Sequence, residues 1–135
     1  MKRNAAIFCT GAAGYSALEV LVRGHTHWTM TLLGGACLVG LCLLGRAWAG
    51  RPLWAQAAAG AAGITAAELA VGLVVNLALG WNVWSYEAEF GNLLGQICPL
   101  YSFYWYCLSW AVLAVQRAAG HGKARAASGS LPAAK

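Results

Sequence analysis

Apolar residues dominate four long stretches of the chain, Ala5–Val22, Thr29–Leu44, Leu53–Leu79 and Leu93–Val115, and most of the charged residues lie between them or at the two ends. A fifth run can be argued. Only these four approach the length that crosses about 30 Å of hydrocarbon at ~1.5 Å of rise per helical residue. The pattern predicts an all-α membrane protein with four transmembrane helices. Met1-Lys2-Arg3-Asn4 imitates the basic start of a secretory signal, but no small-x-small site closes the apolar segment behind it, so the first span is expected to be retained.

The same letters recur within these stretches. "GAAGYSALEV" from Gly11 and "GAAGITAAEL" from Gly60 share their Gly-Ala-Ala-Gly start and the glutamate that follows, Glu19 and Glu68, while Ser16 faces Thr65. "TLLGGAC" at Thr31–Cys37 faces "NLLGQIC" at Asn92–Cys98. A tandem two-helix duplication is expected, repeat 1 over residues 5–45 and repeat 2 over 53–116, with an insertion in the loop before the fourth span. Two spans per unit make the repeats parallel, related by a pseudo-two-fold axis along the membrane normal.

Composition agrees, because 60% hydrophobic and 10% charged residues do not describe a soluble domain. Of the nine Lys and Arg, only Arg23 lies on one side of the expected bundle, which also has Glu87 and Glu89. Lys2, Arg3, Arg46, Arg51, Arg117, Lys123, Arg125 and Lys135 lie on the other. By the positive-inside rule both termini and the middle loop face the cytoplasm. The net charge of +5 then reflects topology and anionic lipid, not nucleic acid. Residues 1–118 form the expected bundle and 119–135, poor in bulky apolar residues, a disordered cytoplasmic tail.

Helical spacing gives the repeat a face. Gly11, Tyr15, Glu19 and Arg23 form one ridge, and Gly60, Ile64, Glu68, Gly72, Asn76 and Gly80 another. A charged group mid-membrane costs roughly 3 kcal/mol on insertion scales, so each glutamate needs partners or a watered cavity. On one reading they are structural glue: Glu19 pairs with Arg23, and Glu68 bonds Asn76, Thr65, or Trp and Tyr side chains. On the other they form a proton or cation site tuned by burial and mutual repulsion. The loop "GWNVWSYEAEFGN", Gly80–Asn92, is equally two-sided. Trp81, Trp84, Tyr86 and Phe90 suit an interfacial aromatic belt, or the loop is a lid with Asn82, Ser85, Tyr86 and Glu87 as cation-favouring polar contacts.

Other chemistry finds less support. His25 and His27 form a lone His-x-His of the kind common in interfacial loops, and no metal site is expected. Cys9, Cys37, Cys42, Cys98 and Cys107 include no Cys-x-x-Cys and read as small hydrophobes. The chain has no phosphate-loop motif, hence no ATPase of its own, and no span pairs a nucleophile with a histidine base, so neither an enzyme nor a cofactor is expected.

From Glu68 to Trp110 the chain resembles the bacterial ABC-transporter type IV membrane proteins, related to the transmembrane protein 229 group of animals. The resemblance rests on Glu68, Gly72, Asn76, Trp84, Tyr86, Asn92, Gly95, Gln96, Ile97 and Trp105. The family's Trp-Asp-Tyr-Ser stands here as Trp84-Ser85-Tyr86-Glu87, with the acid displaced. The resemblance implies transport, with a separate ATPase subunit. Two functions are therefore weighed. One is a small permease or ion-coupled carrier, expected to be an oligomer since four helices enclose little space, taking an unidentified solute or cation through Glu19, Glu68, Arg23, Asn76, Tyr15, Trp84, Tyr86, Glu87, Asn92 and Gln96. The other is a non-transporting scaffold or accessory subunit. The charge placement generates one test: a cysteine introduced at Ala88 labels from outside the cell and one at Gly50 only from inside, and the reverse pattern refutes the orientation.

Overall fold

The structure is a computed structural model that describes residues 1–129, with side chains as far as residue 120. Four helices follow one another: α1 (Lys2–Arg23), α2 (Trp28–Ala47), α3 (Leu53–Gly72) and α4 (Pro99–Gly129). The last turns beyond α3, Leu73–Ala78, widen into a π-helix. No strand occurs among the described residues, apart from one isolated antiparallel bridge between Leu93 and Ile97.

Local chemistry sets the helix ends. Gly24 closes α1 with a left-handed φ of 76° and returns its N–H to the Val20 carbonyl, a conformation that costs glycine little. His27 caps α2 by accepting the Thr29 N–H on its ring, which gives this half of the His-x-His pair a structural role. Pro52 precedes α3, and Pro99 opens α4, where a missing N–H is harmless.

Three helical segments are long and apolar enough to cross a membrane: α1, α2, and α3 with its π-helical extension, Leu53–Ala78. The expected fourth span is corrected at its start. Leu93–Cys98 is not helical, because Gly91 and Gly95 take φ values of 68° and 67°, Leu94 takes 54°, and Pro99 resists lying inside a helix. α4 begins at Pro99 and is not among the three apolar spans; its early turns carry Tyr101, Tyr104, Trp105 and Tyr106. At its other end α4 continues to Gly129, past residue 118 where a disordered tail was expected, through a stretch rich in alanine but interrupted by Gly120 and Gly122. The remainder of that expected tail, 130–135, lies outside the described residues.

α1 packs along α2 and α3 along α4, with α2 also touching α3 and α4. The close approaches run over glycine. A Cβ on Gly11 would sit 2.6 Å from Leu38 Cβ and 2.8 Å from the Gly34 carbonyl, and one on Gly60 would press on Leu41 and Ser109. Two apolar clusters fill the bundle. Met30, Val75, Trp84, Tyr86 and Cys98 form one, Leu41, Ala61, Ile64, Trp105 and Leu113 the other, and Tyr15 packs against both.

Cross-helix hydrogen bonds bear on the internal repeat. Ser16 meets Thr31 at 2.7 Å between α1 and α2, and Thr65 meets Ser102 at 3.0 Å between α3 and α4. Ser16 and Thr65 are the residues that the expected repeat aligns. The expected match of Thr31–Cys37 with Asn92–Cys98 is not seen as like structure, since the first segment is helical and the second is not.

The tight α1–α2 contact predicts that Gly11→Ala lowers stability in detergent by about 1–3 kcal/mol through overpacking. Gly14→Ala, whose Cβ would meet nothing within 4 Å, leaves stability unchanged or slightly raised. Equal effects in thermal unfolding would refute the packing.

Candidate functional site

Glu68 lies on the inner face of α3, 2% exposed. Both carboxylate oxygens accept hydrogen bonds from residues far along the chain. Tyr86 Oη donates to Oε1 at 2.8 Å, and Trp105 Nε1 donates to Oε2 at 2.9 Å. Burial and the neighbouring Glu68 charge hold the Tyr86 hydroxyl well above the usual tyrosine range, so it stays protonated and keeps donating. Among the described residues no cation pairs with Glu68.

Glu19 is held differently. Arg23, one turn on, donates to Oε1 at 2.9 Å, and Thr26 donates to Oε2 at 2.6 Å. The other arm of Arg23 reaches across to the Val83 carbonyl at 3.0 Å, pinning the α3–α4 connection to the end of α1. The i,i+4 pairing expected for Glu19 and Arg23 is present. Thr26 was not anticipated; it lies beyond Gly24, and only the fold of that turn aims it back at Glu19.

Asn76 was a candidate partner for Glu68 and is corrected to another role. Its amide nitrogen donates to the Trp84 carbonyl at 3.0 Å and to Gln96 Oε1 at 2.7 Å, and its oxygen accepts the Val83 N–H at 2.7 Å. Trp84 Nε1 completes this buried lattice by donating to the Gln96 carbonyl at 3.0 Å. Gln96 crowds Gly72 so closely that a Cβ there would overlap its side-chain oxygen. Asn92 ties the outer half of the connection to itself, donating to the Glu87 and Glu89 carbonyls and accepting the Gly95 N–H.

The connection therefore caps one end of the bundle. Trp84 and Tyr86, expected as interfacial belt or lid residues, point inward and are buried, whereas Trp81 and Phe90 are exposed. Trp81 packs on His27 and Trp28 at the start of α2. Glu87 is exposed and away from Glu68, and Asn82 bonds only its own turn at Gly80.

Beneath the cap lies a cavity of about 190 Å³, walled by Tyr15, Cys37, Leu41, Ile64, Trp105 and Glu68. Its outer side runs past exposed Gly14, Leu18 and Leu108, so it opens between α1 and α4. Tyr15 spans that gap with its ring 5.9 Å from Trp105. The wall is almost wholly apolar, and such a wall makes any charge exchanged at Glu68 matter more than it would in water. The structure thus gathers Glu68, Tyr15 and Trp105 around one space, with Tyr86 bonded to Glu68 but outside the cavity wall. It leaves Glu19 and Arg23 in a separate cluster without a shared partner, and Asn76, Gln96, Trp84 and Asn92 as supports of the cap. Trp and Tyr donors to Glu68 were expected as a class; what points to Trp105 among them is its indole N–H, a donor that must be satisfied wherever it is buried.

No curated protein and no solved structure matches the chain. A family model does, over residues 7–124, covering the three apolar spans except the first turn of α1, together with the cap and the bundle part of α4. By that match this membrane protein belongs to the family described as "Putative ABC-transporter type IV".

Proposed function

We propose that the protein is a small permease or ion-coupled carrier whose site is the Glu68 cavity. The supporting observation is the carboxylate on an otherwise apolar cavity wall, reachable from between α1 and α4. At ~30 Å³ per water, about 190 Å³ has room for a small cation or solute with a few waters, not for a bulky substrate. Such a size suits an oligomer or a subunit that completes its pathway with others, and the family suits a separate ATPase. In this reading α4 is the fourth span, the termini are cytoplasmic in a bacterial inner membrane, and the Ser16–Thr31 and Thr65–Ser102 bonds are equivalent contacts of a tandem repeat.

A second reading has its own observation. Each glutamate oxygen already has a protein donor, as in a scaffold or accessory subunit that uses its acids only to lock the fold.

Glutamine substitution separates the two. In Glu68→Gln the amide oxygen still accepts from Trp105, and the amide nitrogen donates to Tyr86, whose hydroxyl also accepts. Folding therefore survives, and proton or small-cation flux in proteoliposomes disappears. Glu19→Gln leaves the Arg23 charge underpaired and lowers stability by about 1–3 kcal/mol. Flux that persists in both variants sinks the carrier, and a large stability loss in Glu68→Gln favours the scaffold.

A further inference from the structure

A second, larger cavity of about 650 Å³ lies at the end of the bundle opposite the cap. Its rim brings together Arg3 from the start of α1, Arg46 from the end of α2 and Arg117 from α4, and Gln56 of α3 lines it as well. These residues lie far apart in sequence, and only the fold assembles them.

Among the described residues no acid lies beside Arg3 or Arg46. The chain has four acidic residues in all, Glu19, Glu68, Glu87 and Glu89. Glu19 and Glu68 are bonded at or near the capped end, and Glu87 and Glu89 belong to the cap itself. Among the described residues Arg3 and Arg46 make no hydrogen bond or ion pair, and both are exposed toward the basin. Arg117 donates to the Arg51 carbonyl at 2.8 Å, which anchors it at the rim. Arg3 and Arg46, unpaired at one hollow, repel one another unless an anion joins them.

The walls are firm. Gln56, 2% exposed, donates to the Trp48 and Arg51 carbonyls at 2.6 and 3.0 Å and so fixes the turn between α2 and α3. Buried Leu113 and small Gly45 and Ala49 supply an apolar floor. A cationic rim over an apolar floor fits a phosphate attached to something less polar. Guanidinium forks match phosphate oxygens in pairs, which a lysine cannot do.

We propose that this basin is a phosphate-binding site, occupied by the phosphodiester headgroup of an anionic lipid or by a free phosphate. The site is independent of Glu68 and of transport. It needs only that the bundle end carrying Arg3, Arg46 and Arg117 lies at a membrane surface, where basic pockets between helices hold anionic headgroups.

The test uses the purified full chain in detergent, titrated with phosphatidylglycerol, with phosphatidylcholine and with inorganic phosphate, and read by native mass spectrometry and thermal shift. Wild-type protein retains phosphatidylglycerol over phosphatidylcholine by roughly tenfold or more, and R3Q/R46Q loses that preference while R3K/R46K keeps part of it. If the double glutamine variant cannot be purified, R3Q alone is compared in the same way, since Arg3 is exposed in the first turn of α1. Retention that inorganic phosphate does not displace assigns the headgroup. Displacement, or a thermal shift by phosphate alone, assigns the free anion. Equal retention of both lipids with no response to phosphate overturns the site, as does a preference that R3Q/R46Q leaves unchanged.

Discussion

A carboxylate buried in an apolar bundle without a cation beside it must find hydrogen-bond donors, and Glu68 finds them only if distant parts of the chain come to it. Tyr86 comes from the α3–α4 connection and Trp105 from α4. Holding Tyr86 inward requires that the connection fold back over the bundle. The lattice of Asn76, Trp84 and Gln96 supplies that fold, over a Gly72 that leaves space for Gln96. The π-helical widening at Leu73–Ala78 helps to place Asn76 beneath the connection. The carboxylate, the cap and the cavity below it are therefore one construction.

Glu19 answers the same cost by local means, through Arg23 and Thr26. Because Arg23 also holds the Val83 carbonyl, this second cluster fastens the cap from the α1 side. The two glutamates, alike in sequence, thus differ in kind. One is neutralised by an adjacent charge and the other is solvated by neutral donors beside an open space. Charge is divided along the bundle in the same spirit, with the acids toward the cap and Arg3, Arg46 and Arg117 at the far end.

Much of this could be read from the letters. The first three helices follow from apolar runs bounded by Gly24, His27 and Pro52, and the Glu19–Arg23 pair from helical spacing. The stretch after Asn92 misled because its leucines and isoleucine suggest a helix, while Gly91, Gly95 and Pro99 each oppose one; the backbone followed the latter. For the same reason the likeness of "TLLGGAC" to "NLLGQIC" does not survive as a structural equivalence. Glu68 and its need for donors were legible, and so was the choice of Trp and Tyr as a class. Which Trp and Tyr was not, since that depends on how the connection turns. Asn76 shares the ridge of Glu68 by spacing, but the π-helical turn changes the register and sends its amide to the cap.

The central claim is that Glu68 is held between Tyr86 and Trp105, and solid-state NMR on the labelled chain in lipid bilayers tests it most directly. With Trp105 Nε1 2.9 Å and Tyr86 Oη 2.8 Å from the carboxylate, the Glu68 Cδ resonance should correlate with the Trp105 indole proton and the Tyr86 ring, and both contacts should vanish in Glu68→Ala. A Glu68 Cδ that correlates with neither residue, or with water alone, contradicts the account.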